Sequence, residues 1–237
     1  MSTENLIIRI KRIGAALAFL LHPFLAGAAF AMHPNLGSLA VDQTVPERIN
    51  EFHHNALLHF GHALMLAAAP LLIAIAVHLM GLLQGHGAWL GFLGGVLAVG
   101  GAVVLAADKG ALCLVPSAFD TLSESDFSAL IPGIEAMFAY RGWLWVLQLL
   151  PLLPVGFILQ SIGLVREGAV PLRRSVPMLA GSVLMANPDI DLIGLIATAV
   201  LALGFIPYAL DLLHNDRCTD LPSPAAPAEV KRIKETV

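Results

Sequence analysis

Long apolar runs with almost no charge limit this chain more than any other feature. A helix needs about 20 mostly apolar residues to cross about 30 Å of hydrocarbon. Six segments meet or approach that length: 13–33, 54–80, 88–107, 142–165, 174–187 and 190–212. They are rich in Leu, Ala and Gly and lack period-two alternation, which selects helices over a transmembrane barrel. The expected fold is all-α, a polytopic integral membrane bundle of about six transmembrane helices. It forms one unit over 1–220, with 221–237 as a short cytoplasmic tail. Charged residues are 13% of the 237, about half the share of a soluble domain. The formal net charge of −4 leaves no basic face for nucleic acid. The lipid bilayer is the expected environment, and other membrane subunits are candidate partners.

Basic residues sort by side. With the N-terminus in the cytoplasm, Arg9, Lys11, Arg12, Arg166, Arg173, Arg174, Arg217, Lys231, Arg232 and Lys234 fall inside. Only Arg48, Lys109 and Arg141 fall outside. The positive-inside rule then gives an N-in/C-in topology in a cell membrane, expected to be the inner membrane of a bacterium. Residues 1–31 also carry marks of a signal peptide, ending in Ala29-Phe30-Ala31. Their apolar stretch of about 20 residues exceeds the usual 7–15 of such a peptide, which favours a retained span. Asn187-Pro188-Asp189 breaks the last apolar stretch into a hairpin of a short fifth and a full sixth segment. Two connections face outside, a polar loop at 34–53 and a longer one at 108–141. In the latter, 124–139 reads as an amphipathic surface helix. Gly91 and Gly95 make a small-residue face suited to close packing inside the bundle. Cys113 outside and Cys218 inside cannot pair under this topology.

Histidine supplies the candidate chemistry. Of nine His, six (His22, His33, His53, His54, His59 and His62) occupy 41 consecutive positions. His22 lies about nine residues into span one, and His62 about eight into span two, so similar depths are expected. His59 stands one turn from His62 on the same face. Imidazoles within lipid are costly and face the bundle interior. His22 and His62 are thus candidate ligands of a bound cofactor, haem b or a transition-metal ion. His33, His54, His59, His62, Asp108, Asp189 and Asp191 are candidate metal ligands at a polar mouth. His78, His86 and His214, near the cytoplasmic side, read as structural. The chain lacks the His-Glu-x-x-His of zinc peptidases, a phosphate-binding Gly loop and Gly-x-Ser-x-Gly.

The reading that follows is an integral membrane protein with a His-rich metal or haem site between spans one and two near the outer face, serving redox or electron transfer. The alternatives are a proton- or metal-linked transporter and a non-catalytic accessory or assembly subunit. The residues do not decide whether the protein is an enzyme, and no catalytic residue is named.

Overall fold

The computed structural model describes residues 3–39, 44–187 and 190–214. These residues are helical and contain no strand. In chain order the helices are α1 (Thr3–Ala31), α2 (Val45–Phe52), α3 (Ala56–Leu82), α4 (Ala88–Asp108), α5 (Val115–Phe119), α6 (Glu124–Phe138), α7 (Leu152–Glu167), α8 (Leu172–Leu184) and α9 (Asp191–His214). A π-helical turn, Lys109–Leu114, joins α4 to α5, and a 3-10 segment, Gly142–Leu149, leads into α7.

Six helices close a ring. Helix α1 packs on α3, α3 on α4, α4 on α7, α7 on α8, α8 on α9, and α9 back on α1. Five stretches are long and apolar enough to cross a membrane: Glu4–Ala31, Ala56–Leu82, Ala88–Phe119, Gly142–Glu167 and Asp191–His214. Helix α8, with 13 residues, is about 20 Å long and falls short of the hydrocarbon thickness. Its chain continues through a turn in which Asn187 accepts from the Ile190 N–H at 2.6 Å and donates to the Leu184 carbonyl. This turn realises the expected hairpin. Non-helical backbone at such depth is sustained where it lines a cavity, and Met185, Ala186 and Asn187 do so here.

Glycine sets the tightest contact. A Cβ at Gly156 of α7 would overlap the Ala98 backbone of α4, and one at Gly101 would overlap the Leu153 backbone. Gly91 and Gly95 face the flexible side chains of Leu83 and Met80, so the small face packs inside the bundle. Around these contacts lies the main core, including Phe19, Ile75, Leu79, Leu164 and Met178. At the opposite end from Lys11 and Arg12, α2 and α6 form a cap over the ring. Its own small core holds Ile49, Leu112, Phe127, Ile134, Phe138 and Leu147.

Several boundaries differ from the sequence expectation. The polar loop at 34–53 contains α2, because Thr44 and Glu47 form a reciprocal capping box with Pro46 in the first turn. Helix α1 starts ten residues before the expected apolar run, since Glu4 to Arg12 continue its helical spacing beyond the hydrocarbon. The third span runs on to Phe119, and the fourth begins as 3-10 helix rather than α-helix. Helix α6 buries Phe127, Ile134 and Phe138 against protein, in the small core of the cap.

Candidate functional site

The α2–α3 junction builds a cluster of imidazoles and one carboxylate. Helix α2 ends at His53, whose N–H donates to Ile49. His54 follows in the left-handed conformation, φ 56°, which costs an L-residue about 1–2 kcal/mol. Asn55 then caps α3 by accepting from the Leu58 N–H. This reversal turns His53, His54 and His59 toward Asp120, which sits just past α5. His53 Nδ1 lies 3.0 Å from one Asp120 oxygen, and His59 Nε2 lies 3.1 Å from the other. His59 Nδ1 is 3.2 Å from the Cys113 carbonyl, in the π-helical turn. Such turns widen the helix and are frequent at functional sites. Both nitrogens of His59 thus face acceptors, and both bonds form together only when the ring carries its second proton.

Ligand atoms of His53, His54 and Asp120 lie within 4.8 Å of one another. Two ligand atoms on one tetrahedral ion at 2.0–2.1 Å stand about 3.3 Å apart, so the His53–Asp120 spacing suits an ion in place of the shared proton. His53 is stacked on Phe127 at 3.9 Å, which fixes its ring plane. The second Asp120 oxygen is held by His59, the outer hydrogen bond that orients a ligating carboxylate. Burial pushes the Asp120 pKa up. The His54 N–H and the rings of His53 and His59 outweigh that push and bring it below its ordinary value. His54 also approaches Glu124 at 3.7 Å, and its side chain is exposed.

A second group lies deeper, inside the ring. A cavity of about 460 Å³ is lined by His22, His33, His62, Asp108, Lys109 and Asp191, with an apolar wall that includes Leu72, Phe157 and Phe205. A smaller pocket of about 140 Å³ under the cap shares His33, His62, Asp108, Lys109 and Asp191 with it. The charges are matched in pairs: His33 Nδ1 to Asp191 at 2.8 Å and Lys109 to Asp108 at 3.1 Å. His33 and His62 meet edge to face at 5.0 Å. Nδ1 of His22 and Nδ1 of His62 are buried with no hydrogen-bond partner. Phe52 separates the two groups: it is stacked on His62 at 5.2 Å and turns its edge to His59.

The expected similar depth of His22 and His62 does not hold. Gly61 of α3 packs against Ala29 of α1 and against Met32 just past its end. This antiparallel register sets His22 about seven residues below His62, or roughly 10 Å along the helix axis. The sequence estimate counted from apolar boundaries, and α3 enters the bundle lower than those boundaries imply. His22 instead meets Phe205 of α9 at 6.0 Å.

Of the expected metal ligands, the fold brings His54 and His59 to the surface cluster. His33, His62, Asp108 and Asp191 line the cavity instead. Asp189 lies outside the described residues, as does Cys218. Asp120, which joins His54 and His59 at the cluster, was not among the expected ligands. Its role depends on a contact 61 and 67 positions away from its His partners, which no local pattern displays. His53 adjoined the expected set, and the capping box at Thr44–Glu47 was the readable sign that a helix would deliver it. His78 hydrogen-bonds Tyr208 at 2.8 Å, and His214 bonds its own helix at Leu210. Asp211 pairs with Arg174 of α8.

No known protein family, curated protein or solved structure matches the chain.

Proposed function

We propose that this multi-pass membrane protein binds a divalent transition-metal ion at its capped end through His53, His54 and Asp120. The observation that carries this reading is the approach of three ligand atoms to within 4.8 Å on a strained turn. Imidazole and carboxylate together suit zinc, copper, nickel or iron rather than magnesium or calcium. Three protein ligands leave a coordination position open, and the exposed side of His54 puts that position toward solvent. Such a site takes up, passes on or reacts an ion, whereas a closed four-ligand site only stabilises a fold. A redox role follows if the ion is copper or iron. With the N-terminus in the cytoplasm, the site faces the outside of the cell.

An ion is favoured over haem. The axial offset of about 10 Å between His22 and His62 does not suit two ligands of one iron. Equilibrium dialysis of the purified protein against Zn²⁺, followed by elemental analysis, tests the proposal. One ion per chain is expected. His53→Ala and Asp120→Ala should lose it, and His22→Phe should keep it. Zinc retained equally by all three variants refutes the assignment.

A further inference from the structure

Ionisable groups also recur at successive levels through the ring, in a series the metal site does not use. At the capped end stand Asp191, His33 and His62, joined by the 2.8 Å ion pair and the 5.0 Å ring contact. His22 lies next, at the deep end of the 460 Å³ cavity. Below it, Phe19 packs its ring against Phe205, Tyr208 and His78. Beneath that ring the Tyr208 hydroxyl bonds His78 Nε2 at 2.8 Å. Asp211 follows one turn further along α9, half exposed and paired with Arg174. His33 meets His62 and Phe19 meets His78, so these levels stand 14 residues apart on α1 and 16 on α3. That is roughly 21–24 Å, most of the hydrocarbon thickness.

We infer that α1, α3 and α9 form a proton path across the membrane, with His22 as its central station and Phe19 as the barrier beneath it. Titratable side chains buried within spans are expensive and mark such paths when they line the bundle interior. Water reaching the cavity through the pocket under the cap delivers a proton to the His22 imidazole, whose Nδ1 the protein leaves unpartnered. Movement of the Phe19 ring lets His22 pass that proton to the Tyr208 oxygen. Tyr208 gives its own proton to His78 Nε2, and His78 releases one from Nδ1 toward the Asp211 end. Each group ends neutral, and one proton has crossed. Lys109 and Asp108 at the upper end are paired at 3.1 Å. The upper vestibule thus carries no unbalanced charge from them to repel a proton.

Purified full-length protein in liposomes, driven by a potassium diffusion potential and read with an internal pH dye, tests the path. Proton flux well above that of protein-free liposomes is expected. His22→Phe and Tyr208→Phe, which keep ring volume, should each lower it at least tenfold. Phe19→Ala should raise it. Gly100→Ala, at a position with open space around it, should leave it unchanged. Flux no faster than in protein-free liposomes overturns the inference. So does wild-type flux in both His22→Phe and Tyr208→Phe.

Discussion

His54→Gly separates the two properties that His54 combines. The residue holds φ 56°, a conformation that costs an L-residue about 1–2 kcal/mol and glycine almost nothing. Histidine enters this region more readily than most side chains, so the relief should be near 1 kcal/mol. The same substitution removes one of three proposed ligands. At an ion concentration 100 times the dissociation constant, the wild type gains about 2.7 kcal/mol on binding. A tenfold loss of affinity cuts that increment to about 1.4 kcal/mol. SDS-titrated unfolding in detergent micelles, with and without Zn²⁺, reads both quantities. His54→Gly should be more stable than the wild type without zinc and gain less from zinc. His54→Ala should show the smaller gain without the added stability. An undiminished zinc increment in both variants removes His54 from the ligand set. A less stable zinc-free His54→Gly refutes the strain.

Five other outcomes are expected. Gly156→Ala should lose about 1–3 kcal/mol of stability by forcing α4 and α7 apart. Gly100→Ala, with open space around it, should be neutral or stabilising in the same unfolding assay. Asp120→Asn should be destabilising at neutral pH. The folded-state pKa of Asp120 is depressed, so its contribution is present above the ordinary carboxyl value near 4 and is lost as pH falls through the lower folded value. The gap between variant and wild type should therefore narrow as pH falls below about 4 in unfolding titrations. Thr44→Ala should cost about 1 kcal/mol by removing the α2 cap, and zinc affinity should weaken because α2 delivers His53. Tyr208→Phe should cost about 1 kcal/mol by removing the hydroxyl that bonds half-buried His78, with zinc binding unchanged.

The helical class was legible because apolar runs report burial directly, and the end of α8 before Asn187 was legible because turn formers act locally. Helix α2 was hidden in a polar segment, although Thr44, Pro46 and Glu47 spell out its start. The dense histidine run falls mostly at the capped end of the molecule, where ionisable groups gather. Its division into two groups was not legible. That division depends on the ring of Phe52 and on the register between α1 and α3, which Gly61 sets by close approach to Ala29. Asp120 reaches its partners only through the π-helical turn and α5, and sequence spacing carries no trace of that path.

Zinc-edge X-ray absorption on the zinc-loaded, dialysed protein tests the metal site most directly. The account predicts nitrogen and oxygen neighbours at about 2.0–2.2 Å with imidazole scattering beyond. That imidazole signal should fall in His53→Ala, and the bound zinc should be lost in Asp120→Ala. A spectrum of hydrated zinc in the wild type, or one unchanged in both variants, contradicts the account.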